Sequence, residues 1–144
     1  MNDRFEIDLV VEVDPGVSER DLLLAAETTV ERLGVREGHM AIEIVGETRI
    51  HELNREHRAN DKPTDVLSFP MDGEGVAVTG PPPPRIAGPL ELGDVVICPA
   101  FTEDMTEAVV HGVLHLCGYD HETDGGDMLA LQDEIVDGLR EAAR

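Results

Sequence analysis

Apolar and polar residues alternate from Phe5 to Val13 (FEIDLVVEV), with Phe5, Ile7, Leu9, Val11 and Val13 on one side. This period of two predicts a half-buried strand, which Asp14, Pro15 and Gly16 end. Ser18 followed by Glu19, Arg20 and Asp21 then has the form of a helix N-cap with acids in the first turn, and LLLAAETTVERL continues helically to Gly34. A second strand is predicted over about Met40 to Val45, with Met40, Ile42 and Ile44 facing one way. From Thr48, the segment TRIHELNREHR sets Ile50, Leu53, Asn54 and His57 at helical spacing, and DVLSF, from Asp65 to Phe69, reads as a third strand. A fourth runs from Leu92 to Cys98 and is closed by Pro99. Thr102, with Glu103 and Asp104 behind it, is placed to cap a helix that continues through Val109, Val110, Val113, Leu114 and Leu116 to Gly118. Its apolar residues occupy nearly every side, so it is predicted to be the central helix. Only Pro99, Ala100 and Phe101 then remain as a plain connecting loop, which leaves Phe101 and Met105 to be covered by the proline-rich 70–93 segment or by a second subunit of a homo-oligomer. A last amphipathic helix, about Asp127 to Ala143, carries Met128, Leu131, Ile135 and Leu139.

These elements predict an α+β single domain over residues 1–144, with a small mixed sheet of about four strands packed against the central helix and flanking helices. The composition shifts between residues 70 and 93, where Pro81 to Pro84 and five glycines predict an extended loop within the domain. No apolar run approaches the roughly 20 residues of a membrane span. The start, MNDRFEIDLVVEVD, places acids where a signal peptide would carry a basic region, so a cytoplasmic protein is expected. Cys98 and Cys117 are too few for a disulfide framework and read as small buried apolar side chains. A formal net charge of −20 argues by itself against a nucleic-acid partner. Its distribution softens that reading, because Arg49, Arg55, Arg58 and Lys62 fall close together against only Glu52, Glu56 and Asp61.

The stretch HGVLHLCGYDH, His111 to His121, holds three of the six histidines. Residues four apart on a helix project from one face, so His111 and His115 aim their rings at a common point. Gly118 suits the left-handed conformation that ends a helix, and the turn it permits lets His121 return as a third ligand. Three neutral imidazoles predict one divalent transition metal, with Zn2+ expected and a fourth position left for water. The H-x3-H-x5-H spacing equals that of the metzincin proteases, but position 112 is Gly where those enzymes place the glutamate that takes a proton from water. This argues against peptide hydrolysis by that route.

HGVLHLCGYDH together with LNREHRANDKPTDVLSFP and LGDVVIC resembles the YbeY family of bacterial metal-dependent endoribonucleases and rRNA maturation factors, in matching order from Leu53 to His121. The resemblance implies a zincin-like fold, metal ligation by His111, His115 and His121, and Arg58 as the basic residue that binds RNA and assists its cleavage. It further implies single-strand-specific cleavage in maturation of small-subunit rRNA and in ribosome quality control, with precursor rRNA and the ribosome as partners. His57 departs from the family pattern, in which an aromatic residue is common there. Two other readings stay open on the residues alone: a non-catalytic ribosome-assembly factor with a structural metal, and a hydrolase of another ester or amide. Asp65 and Asp120 are carboxylates near the motifs with no role assigned, and Ser68 has no histidine and aspartate in triad order.

Overall fold

A computed structural model of the chain describes residues 4–70, 90–119 and 126–142. The Pro/Gly-rich stretch between 71 and 89, Asp120 and His121 lie outside the described residues.

The chain opens with β1 (Arg4–Val11), then α1 (Glu19–Arg32) and β2 (Glu37–Ile44). Ser18 caps α1 as its sequence implies, its hydroxyl accepting from the Asp21 amide at 3.1 Å. A right-length helical crossover allows β2 to lie parallel to β1, with Ile7 opposite Met40 and Leu9 opposite Ile42. After α2 (Glu47–Arg58) come β3 (Val66–Pro70) and β4 (Leu90–Ile97). The sheet order is β1-β2-β4-β3, with β4 parallel to β2 and β3 antiparallel to β4, so the predicted mixed four-stranded sheet is present.

Strand alternation divides the interior in two. Met40, Ile42, Ile44, Val95 and Ile97 face α1, α3 (Met105–Leu116) and α4 (Asp127–Ala142), while Leu67 and Val96 face Ile50 and Leu53 of α2 on the opposite side. Helix α3 lies between the sheet and its neighbours α1 and α4, and eight of its twelve residues are buried. Each large apolar side chain fully buried there contributes about 1.5–3 kcal/mol, so the helix that carries His111 and His115 is anchored in the core. Arg140 of α4 also pairs with Asp104 at the start of α3, and Arg32 of α1 with Glu134 of α4 at 2.6 Å.

The start of α3 corrects the sequence reading. Thr102 does not cap the helix. Pro99, Ala100 and Phe101 form a 3-10 turn in place of a plain loop; the Thr102 amide donates to the Pro99 carbonyl at 3.1 Å and its hydroxyl to the Cys98 carbonyl at 2.8 Å. With that hydroxyl already engaged, the cap passes to Asp104, whose Oδ1 accepts from the Glu107 amide at 3.0 Å. Met105 is buried in the core as part of α3, whereas Phe101 stays 44 % exposed.

The sheet face beyond the reach of α2 is acidic. His39 on β2 donates across it to Asp8 on β1 and Glu91 on β4, each at 2.8 Å, and these two carboxylates raise its pKa above 6.5. Burial, and then the proximity of other carboxylates, raises Glu43 and Asp94. All three groups bind protons more tightly in the folded chain, so all three have the same sign of linkage: their contribution is greatest at low pH and lost as pH rises through the raised values. Of the three, His39 starts from the highest ordinary value, 6.5. The melting temperature is therefore expected to fall from about pH 6 to about pH 8, and His39→Ala to flatten that slope. A wild-type melting temperature that rises over this range would contradict the assignment.

Candidate metal and phosphate site

His111 and His115 emerge from the same face of α3, both half-buried, with ring centroids 4.6 Å apart and planes crossed at 75°. Their Nε2 atoms face each other at 3.1 Å. The opposite nitrogen of each ring meets an oxygen: His115 Nδ1 lies 2.9 Å from the Tyr119 carbonyl, and His111 Nδ1 lies 2.7 Å from Gln132 Oε1 on α4.

The Tyr119 contact follows from the end of α3. Gly118 adopts φ +96°, its amide donates to the His115 carbonyl at 3.0 Å, and the Tyr119 amide donates to the Leu114 carbonyl at 3.1 Å. These two bonds make a Schellman turn, which needs a residue free to enter the left-handed region. The turn folds the Tyr119 carbonyl back over the last helical turn and onto the His115 ring. A carbonyl can only accept, so His115 carries its proton on Nδ1 and presents a lone pair at Nε2. Gln132 Oε1 stands in the same relation to His111 Nδ1, and a proton on that nitrogen would likewise leave a lone pair at Nε2. At 3.1 Å the two Nε2 atoms are joined either by a proton carried on one of them, as an N–H···N hydrogen bond, or by a metal ion between two lone pairs. Two nitrogens on a tetrahedral zinc, at about 2.0–2.1 Å each, would be about 3.3 Å apart, so the observed spacing fits a metal with little movement. Among the described residues no group of three potential ligands forms, and His121 lies outside them.

Gly112 has a packing role. A Cβ there would fall 2.5 Å from Val95 Cγ1 and 3.4 Å from Val66 Cγ2, so the position lies against the sheet. Its carbonyl accepts from the buried Ser68 hydroxyl at 2.9 Å, which fastens β3 to α3 beside His111. That bond gives Ser68 a structural use.

Arg58 is the last residue of α2 and is exposed. Ala59 in the left-handed region ends the helix, and buried Asn54 holds the turn that follows, donating to the Lys62 carbonyl at 2.8 Å while its own carbonyl accepts from Asn60. The Arg58 guanidinium sits 5.7 Å from the Phe69 ring centroid and donates to the Ser68 carbonyl on outer strand β3. Ser68 thus connects with Arg58 through its backbone and with Gly112, next to His111, through its side chain. Asp65 is not part of this arrangement: its Oδ1 accepts from the Val66 amide at 2.8 Å in a local turn. Cys98 and Cys117 are free and buried as expected, and burial pushes the Cys117 thiol up to about 12, which leaves it unreactive.

Sequence reasoning passed over Gln132 and the Tyr119 carbonyl. The signal for the first was present, since Gln132 is a polar residue on the apolar face of α4, between Met128 and Ile135.

A protein-family model described as Endoribonuclease YbeY matches residues 18–140. The Endoribonuclease YbeY of Persephonella marina is 34% identical over 142 residues, covering 88% of this chain and 87% of that protein. That of Koribacter versatilis is 39% identical over 129 residues, covering 87% and 80%. A solution structure of a Thermotoga maritima protein superposes with a TM-score of 0.57 at 26% identity, covering 96% of this chain and 91% of that one. The family match spans both histidines of α3, Arg58 and Gln132, and with these relatives it establishes that the chain belongs to the YbeY family.

Proposed function

We propose that the chain is a metal-dependent endoribonuclease that cleaves single-stranded RNA during maturation of small-subunit rRNA, acting on ribosomal precursors in the cytoplasm. The observation that carries the metal part of this reading is the pair of facing Nε2 atoms, each with its Nδ1 against an oxygen. The names of the relatives carry the RNA part. His111 and His115 would hold the ion with His121 as third ligand, in a zincin-like arrangement on the central helix. When bound, a divalent metal such as Zn2+ supplies a Lewis acid for a phosphoryl oxygen and lowers the pKa of water toward about 7.

The chain's own groups do the rest. Arg58 has further N–H donors beyond the one it gives to Ser68, and an exposed guanidinium braced on Phe69 is suited to non-bridging phosphate oxygens, where negative charge grows in the transition state. Arg58→Ala is expected to keep the bound metal yet lose at least about tenfold in cleavage rate, roughly 1.4 kcal/mol of transition-state stabilisation. Equal rates for variant and wild type would return Arg58 to a purely structural role at the end of α2. Gly112 offers no proton acceptor and lies against the sheet, so a peptidase mechanism built on that position has no base. The reading as a non-catalytic assembly factor separates in one assay: it expects binding to precursor rRNA without new 5′ or 3′ ends, where the endoribonuclease produces them.

A further inference from the structure

We propose that Gln132 is a positioning residue for the candidate metal site, its side-chain oxygen fixing the His111 tautomer that leaves Nε2 able to ligate. The inference rests on the metal reading above, and it assigns a use to a side chain on a helix that contributes no ligand. Gln132 is 5 % exposed and lies among the apolar residues of α4 that pack on α3. Burying an amide there costs a few kcal/mol unless it is hydrogen-bonded, and its bond to His111 Nδ1 is short, at 2.7 Å. A leucine of similar volume would fill the same space without that cost, so packing alone does not call for glutamine at this position.

The two histidines are set by different devices. His115 takes its tautomer from the backbone of its own helix end, through the Tyr119 carbonyl, which any side chain at position 119 would supply. His111 lies one turn earlier, where the carbonyls of α3 are engaged within the helix, and its acceptor comes from α4. With a proton held on Nδ1, the His111 lone pair points at the same spot as that of His115. Without an acceptor at Nδ1, the proton is free to occupy Nε2 and block the ligand position. The docking of α4 on α3 thereby completes the site, and an amide oxygen does so without adding a negative charge beside the imidazole.

The test compares Gln132→Leu and Gln132→Glu with wild type in the full chain. Glutamate keeps an oxygen acceptor, whereas leucine removes it and retains the volume. Zinc affinity measured by competition with a chromogenic chelator is expected to fall by about 10–100-fold in Gln132→Leu and to be retained or increased in Gln132→Glu. Ring nitrogen chemical shifts of the metal-free protein are expected to place the His111 proton on Nδ1 in wild type and Gln132→Glu, and to move it toward Nε2 in Gln132→Leu. Melting temperatures of the metal-free proteins should stay close together, which separates tautomer control from loss of fold. Unchanged zinc affinity and an unchanged His111 tautomer in Gln132→Leu would overturn the proposal. A wild type that takes up no zinc would overturn the metal reading itself, and is told apart from failure at Gln132 because the tautomer comparison needs no metal.

Discussion

Replacing His115 with alanine is expected to reduce cleavage of single-stranded RNA by more than about 100-fold and to remove tightly bound metal. The lower bound comes from comparison: loss of a residue that only orients a ligand already costs about 10–100-fold, and His115→Ala removes the ligand itself. The change also removes the ring's two observed contacts, Nδ1 with the Tyr119 carbonyl at 2.9 Å and Nε2 with His111 Nε2 at 3.1 Å. Because binding to the native state adds to folding free energy, the melting temperature of wild type should rise on loading with metal and that of the variant should not. Metal analysis and an end-labelled RNA assay on the same preparation check both parts. A variant that cleaves at the wild-type rate would remove the histidine pair from the mechanism.

The largest effect on stability is expected at Gly112. An added Cβ would come within 2.5 Å of Val95 Cγ1 and 3.2 Å of Val95 Cγ2, and Val95 is fully buried on β4, an inner strand of the sheet. Helix α3 must move outward, at about 1–3 kcal/mol for this kind of overpacking, offset in part by the roughly 0.5–1 kcal/mol that alanine gains over glycine inside a helix. For a chain of this size Gly112→Ala should therefore lower the melting temperature by roughly 2–7 °C, read by calorimetry on the metal-free protein. Gly112→Glu, which would restore the metzincin pattern on paper, should be worse and should gain no peptidase activity, because position 112 is on the sheet side of the helix. An alanine variant as stable as wild type would show that α3 does not approach the sheet this closely.

Much of this arrangement could be read along the chain because it is local. The period-two runs at Phe5 and Met40, the capping Ser18 and the i, i+4 histidines each encode their own element, and Gly118 alone announces the turn that ends α3. What depends on packing between distant segments was not legible. Thr102 and Asp104 both satisfy the rules for a helix cap, and only the 3-10 turn at Pro99 to Phe101 decides between them by engaging the Thr102 hydroxyl. Gly112 reads as a missing catalytic base until Val95 is placed beneath it, and then reads as the residue that lets α3 approach the sheet. Gln132 carries no motif; it matters through the docking of α4 on α3, which no single window of sequence contains. Arg58 was marked by resemblance, and its bracing on Ser68 and Phe69 comes from the return of β3 beside the end of α2.

The central claim, that the histidines of α3 hold a metal on which RNA cleavage depends, is tested most directly by stripping the purified chain with a chelator, removing the chelator and titrating Zn2+ back while following cleavage of a single-stranded RNA. The account predicts no cleavage by the stripped protein and recovery that saturates near one ion per chain. Cleavage that survives complete removal of metal would contradict it.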